Sequence, residues 1–124
     1  MKRCCCMLQA TGVELNPWLV LYSRFRALKL RRSAVHGSAE FVIRDLWKCN
    51  LGRYNHVVIF GVDSMMSALH GKLQREMTTD CSVIACRFPL PCEPSRTVGD
   101  GLDTVWLYKH YDVVRRCGSI DIGR

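Results

Sequence analysis

His56-Val57-Val58-Ile59-Phe60-Gly61-Val62 is a nearly unbroken apolar run, and its reading decides the fold. A strand with one wet face alternates apolar and polar residues. A run without alternation suits a parallel strand buried on both faces. Downstream, Asp63 or Ser64 is placed to cap a helix in which Met65, Met66, Leu69, Leu73 and Met77 keep helical spacing. Its paired methionines read as core filler. Ser82–Cys86 follows as another strand, Phe88-Pro89-Leu90-Pro91 breaks it, and Thr104–Tyr108 supplies one more. Upstream, Phe41-Val42-Ile43 is a short strand ending at Arg44-Asp45, and Thr11–Leu15 is extended. Asn16-Pro17 then starts a helix, because Asn accepts from unpaired N–H groups and Pro at the first helical position loses no hydrogen bond. Strands alternating with helices predict an α/β domain with a mostly parallel sheet.

In the first helix Trp18, Leu21, Tyr22, Phe25 and Leu28 recur at helical spacing and form one apolar face. Arg24, Arg26, Lys29, Arg31 and Arg32 crowd the rest of its surface and its C-terminal end, where cations favour the dipole. The net charge of +7 is local: residues 1–32 carry seven Lys/Arg against the single acid Glu14, and the other 92 residues carry eleven bases against ten acids. That distribution argues against a nucleic-acid coat, and the aromatics form no stacking platform on a basic sheet. The cluster reads either as a solvated helix face or as a contact for an anionic surface, lipid or acidic protein.

At 124 residues the chain is long enough for one domain with a real core. No apolar run reaches the ~18 residues that a bilayer span needs. Eight cysteines are many for this length, but Cys4-Cys5-Cys6 are adjacent, Cys86 lies inside an apolar run, and no secretory signal precedes them. Reduced thiols are expected rather than a disulfide framework. Cys81, Cys86 and Cys92 fit zinc spacing poorly, and His36, His56, His70 and His110 are scattered, so no metal is expected.

Ligands of parallel α/β sheets bind beyond the carboxyl ends of the strands. Glu14 and Asp45 stand at two such ends. One such acid can accept both hydroxyls of a ribose and another an adenine amino group, although each is also placed to act as a cap or loop carboxylate. Gly99-Asp100-Gly101 does not cradle phosphate, because it precedes a strand instead of opening a helix; a hairpin turn is expected. No nucleophile–base pair stands out, and no catalytic residue is assigned.

Val13–Val20 (VELNPWLV), Asp45–Lys48 (DLWK), Val57–Val62 (VVIFGV) with Met65-Met66, Val83–Pro91 (VIACRFPLP) and Gly101–Trp106 (GLDTVW) stand in one order. Together they resemble the mitochondrial protein-lysine methyltransferases that act on the ATP synthase c subunit and on the adenine nucleotide translocase. The stretches Phe60–Met66 and Val83–Pro89 look more like the branch that acts on the c subunit. The resemblance covers about residues 11–109, with 1–10 an atypical N-terminal segment and 110–124 a C-terminal tail. It implies a Rossmann-like, seven-strand, S-adenosylmethionine-dependent class I methyltransferase fold, and a mitochondrial location.

The resemblance also implies roles. Glu14 closes the family's second strand and would hold the cofactor ribose, with Leu15 and Asn16 beside it. Asp45, with Leu46, would lie by the adenine. Phe60 and Gly61, with Arg87, Phe88 and Pro89, would border the methyl donor and the lysine channel. Methyl transfer to lysine needs a neutral nitrogen aligned at near-attack distance more than a strong base. Asp63 is read as a cap, not a base. The partner implied is a mitochondrial membrane protein (the c subunit or the translocase). The basic first helix adds an anionic membrane surface as a candidate partner, and charge and spacing point to no nucleic acid and no metal.

In the family's strand order, 3-2-1-4-5-7-6, the first strand and its glycine-rich loop would lie just before Thr11, where this chain has Met1–Ala10. The expectation is therefore a shortened isoform or fragment lacking that strand, that loop and the family's targeting stretch. Its sheet would be split, with open edges prone to misassociation. By itself it would neither bind S-adenosylmethionine appreciably nor methylate lysine. The alternative is a non-catalytic basic module that binds protein or lipid.

Overall fold

A computed structural model of the chain describes residues 8–31 and 37–115. Cys4-Cys5-Cys6, most of the 1–10 segment, Arg32, His36, Cys117 and the rest of the tail beyond residue 115 lie outside the described residues. The chain divides into two compact units, Met1–Cys49 and Asn50–Arg124.

The first unit is a strand–helix–strand motif: β1 (Gln9–Glu14), α1 (Pro17–Arg31) and β2 (Ser38–Ile43). The strands pair in parallel, Gly12 opposite Phe41 and Glu14 opposite Ile43. Parallel pairing needs a long crossover, which α1 supplies. Gly12 is required by that register: a Cβ there would sit 2.4 Å from the Phe41 ring. The Asn16-Pro17 start is borne out. The Trp18 N–H donates to Asn16 Oδ1 at 3.0 Å and the Val20 N–H to Asn16 O at 3.1 Å.

The packed face of α1 is not the one expected. Val20 is buried, and Ser23 and Ala27, on the same side, are half-buried. Trp18, Leu21, Tyr22, Phe25 and Leu28 are all exposed, Trp18 to 76%. Helical spacing identifies a face but not its partner. Smaller residues fill the covered side, while the large side chains point away from it.

The second unit runs β3 (His56–Phe60), α2 (Asp63–Glu76), β4 (Ser82–Cys86), β5 (Arg96–Val98), β6 (Val105–Lys109) and α3 (His110–Val114). Its sheet has the order β3-β4-β6-β5; β3 and β4 are parallel, and β6 is antiparallel to both β4 and β5. The sheet is therefore mixed rather than mostly parallel. Strand β5 escaped the sequence reading because three exposed residues carry no periodicity. The Gly99 and Gly101 turn joins β5 to β6 with both glycines at positive φ, +88° and +53°, as the hairpin expectation requires.

The apolar run also differs from expectation. In β3, Val57 and Ile59 are buried, whereas Val58 and Phe60 are exposed. It is an edge strand with one covered face; β4, paired on both sides, is the one buried nearly throughout. The covered side of the sheet shares a core with Met66, Leu69 and Leu73 of α2 and Val113 of α3. Neither Asp63 nor Ser64 makes a capping hydrogen bond. Val62 precedes the helix and Asp63 occupies its first turn, where its charge still favours the dipole. Lys72, nearly buried, bonds Glu76 Oε1 at 2.6 Å, and Glu76 Oε2 accepts the Leu51 N–H at 2.8 Å. The Lys72 hydrogen bond, then that of Leu51, holds the Glu76 carboxyl below the usual carboxylate range.

The orders β2-β1 and β3-β4-β6-β5 reproduce the 3-2 and 4-5-7-6 flanks of the implied seven-strand arrangement. Among the described residues no strand joins β1 to β3.

Candidate functional site

Five sequence-predicted site residues gather at the carboxyl edge of the first unit. Glu14 ends β1, and its partner Ile43 lies two residues before Asp45. Parallel pairing therefore brings both acids to the same edge. Glu14 Oε1 accepts the N–H groups of Leu15, at 2.9 Å, and Asn16, at 3.1 Å. Asp45 Oδ1 accepts the Trp47 N–H at 3.0 Å and caps the 3-10 turn Leu46–Lys48. The bland role of each acid, bracing the chain as it leaves a strand, is thus present. An ionised carboxylate has about four acceptor positions, so bracing leaves capacity for a ligand's hydroxyl or amino groups. Glu14 and Leu15 are exposed, and Asp45 and Leu46 are half-buried.

The other five gather at the carboxyl edge of β3 and β4 in the second unit. Phe60 pairs with Cys86, so Phe60-Gly61 and Arg87-Phe88-Pro89 leave adjacent strand ends together. Phe60 is 77% exposed. Gly61 passes close to α2: a Cβ there would stand 3.0 Å from Met66 Sδ and 3.2 Å from Met65 Sδ. Arg87 is exposed and has φ +73°, the only positive φ of a non-glycine residue among those described. Its N–H donates to Thr104 O at 3.3 Å. Three residues on, the Leu90 N–H donates to the Tyr108 hydroxyl at 2.9 Å.

Sequence reasoning missed Tyr108. It is fully buried, and that burial, aided by the Cys92 and Asp112 charges against the Leu90 hydrogen bond, pushes its phenol up to about 12. No spacing rule links position 108 to a turn eighteen residues earlier; only the antiparallel β4–β6 pairing does. The Arg87 backbone was equally invisible, since left-handed φ is signalled in sequence by Gly or Asn, not Arg.

Of the basic cluster, Arg24 Nε donates to Phe41 O at 2.9 Å, and Lys29 Nζ lies 4.9 Å from the Phe25 ring centroid. Among the described residues no group of three His, Cys, Asp or Glu side chains could hold a metal ion. No described helix is long and apolar enough to cross a membrane. Burial raises the Cys81 thiol above its ordinary value, which keeps it protonated and inert.

Residues 2–96 match the family model of the ANTKMT methyltransferase domain. The chain is 57% identical over 100 residues to the human lysine N-methyltransferase of the ATP synthase c subunit, covering 80% of this chain and 42% of that protein. It is 40% identical over 105 residues to the mouse adenine nucleotide translocase lysine N-methyltransferase, covering 84% of this chain and 44% of that protein. The chain thus spans less than half the length of these relatives. In structure it resembles an RNA methyltransferase from Salinibacter ruber in complex with S-adenosyl-L-homocysteine, with a TM-score of 0.70 and 24% identity, over 80% of this chain and 63% of that one. The likeness to that structure establishes an α/β methyltransferase-like fold, and the sequence match establishes descent: the chain belongs to the ANTKMT methyltransferase domain family.

Proposed function

We propose that the protein serves S-adenosylmethionine-dependent N-methylation of a lysine in a mitochondrial inner-membrane protein, with the ATP synthase c subunit as acceptor. The observation that carries this reading is the pairing of β1 with β2, which sets Glu14 and Asp45 at one carboxyl edge. That edge is where α/β sheets receive nucleotides. The name of the human relative supports the c subunit as acceptor and, through it, the mitochondrial location; the mouse relative is named for a different acceptor, the adenine nucleotide translocase.

The residues present fit the nucleoside part of the cofactor. Glu14, exposed and braced by Leu15 and Asn16, accepts the ribose hydroxyls. Asp45, with Leu46, accepts the adenine amino group. When bound, S-adenosylmethionine supplies a methyl group made electrophilic by a sulfonium sulfur. Phe60, Gly61 and the Arg87–Pro89 turn receive the acceptor lysine. The neutral amine nitrogen is the nucleophile, and a neighbouring positive charge, such as the sulfonium of the bound donor, disfavours the ammonium form. No side chain is needed as a strong base; holding the amine in line does most of the work.

The test uses the chain extended at its N-terminus by the family's first strand and glycine-rich loop: titration with S-adenosylhomocysteine, followed by the amide resonances of Leu15, Asn16, Asp45 and Leu46. Glu14→Ala removes a charge-assisted contact worth about 1.5–3 kcal/mol, and so weakens binding roughly tenfold or more. Unchanged affinity in a folded variant would refute the ribose role. Transfer of a labelled methyl group to the c subunit tests the acceptor.

A second partner is supported by α1. Its exposed Trp18, Leu21 and Phe25, with Arg26 and Lys29 close by in the helix, offer apolar contact and positive charge to an anionic membrane surface.

A further inference from the structure

The turn after β4 departs from a strand in a costly way. Arg87 takes a left-handed φ of +73° where glycine would pay no steric penalty. Such a conformation persists only where its surroundings over-determine it, and such residues cluster at ligand clamps. Here the constraints are visible. The Arg87 N–H is tied to Thr104 O at one end, and the Leu90 N–H to Tyr108 at the other. The Leu90 side chain is itself buried, and Pro89 and Pro91 fix their own φ. Phenylalanine would fill the core volume of Tyr108 without a polar atom to satisfy. The hydroxyl is therefore accounted for by the Leu90 bond, and its raised pKa keeps it protonated at every ordinary pH.

We infer that Tyr108 is a positioning residue for the acceptor substrate: its buried hydroxyl takes the Leu90 N–H and so locks the strained Arg87–Leu90 turn in the form that receives the acceptor's lysine-bearing segment. This rests on the proposed methyltransferase reading and extends it to a residue that touches neither substrate nor cofactor. The turn stands beside Phe60 at the carboxyl edge of the parallel pair, where ligands of such sheets bind. A turn needed only to reverse the chain would have no use for a strained arginine.

The experiment compares wild type with Tyr108→Phe. Trypsin cuts after Arg87, and its rate there reads opening of the turn; its rate after Arg75 in α2 reads unfolding of the unit. Tyr108→Phe is expected to raise cleavage at Arg87 about fivefold, as loss of one hydrogen bond predicts, with Arg75 unchanged. Tyr108→Phe should weaken binding of detergent-solubilised c subunit several-fold. Equal acceleration at Arg75 and Arg87 in Tyr108→Phe would overturn the inference, leaving Tyr108 a general stabiliser. Unchanged acceptor affinity in Tyr108→Phe would also overturn it. Absence of shifts at Leu15 and Asp45 when the chain extended by the family's first strand and glycine-rich loop is titrated with S-adenosylhomocysteine overturns the methyltransferase reading itself, and the trypsin comparison then still decides whether Tyr108 holds the turn.

Discussion

Single residues show how far local chemistry carries a sequence reading. Glu14 and Asp45 were visible as acids at strand ends, and the structure puts them at one edge because a parallel register does so automatically. Gly12 and Tyr108 were not visible as constraints. Each answers to a residue far along the chain, the Phe41 ring or the Leu90 N–H, and only pairing brings those partners near. Tyr108 gives a signature in pH. Its phenol is ordinarily near 10 and is pushed up to about 12 by burial, so the folded state keeps a proton that the unfolded chain loses first. The stabilisation is complete below pH 10 and falls away as pH rises toward about 12. Chemical denaturation across that range should show a drop in wild type that is smaller in Tyr108→Phe. Equal slopes for the two proteins would mean that Tyr108 titrates as if exposed.

Elements were located well and their faces less well. The Asn16-Pro17 start of α1, the spacing of α2 and the positions of β3, β4 and β6 all follow from local signals, since caps and periodicity act within a few residues. What covers each face is a tertiary property. Hence the stripe on α1 proved exposed, and β3 proved to have one open face. That exposed stripe makes a prediction of its own. Arg24, Arg26 and Lys29 near an acidic surface contribute up to about 1 kcal/mol each, and salt screens them. Flotation with cardiolipin-containing vesicles should recover the protein at low salt and lose it at high salt, and Phe25→Glu should abolish recovery. Equal flotation with neutral vesicles would return α1 to an ordinary solvated face.

For the molecule as a whole, periodicity alone gave an α/β class but not the mixed sheet, because antiparallel return strands such as β5 are too short to signal. The ordered motif blocks supplied the strand order that the two sheets reproduce. The second unit ends its sheet on β3, whose Val58 and Phe60 are exposed at 56% and 77%. An apolar edge strand is a template for pairing. Sedimentation should therefore show concentration-dependent association that Val58→Lys suppresses; monomer at every concentration would contradict it. The central claim, that the carboxyl edge of β1 and β2 holds the nucleoside of a methyl donor, has a more direct measurement. It is the titration, with S-adenosylhomocysteine, of the chain extended at its N-terminus by the family's first strand and glycine-rich loop and of its Glu14→Ala variant, read at the Leu15, Asn16, Asp45 and Leu46 amides. Saturable shifts at those four amides, weakened roughly tenfold or more by the substitution, are the predicted result. Shifts absent from these residues, or an affinity indifferent to Glu14, would contradict it.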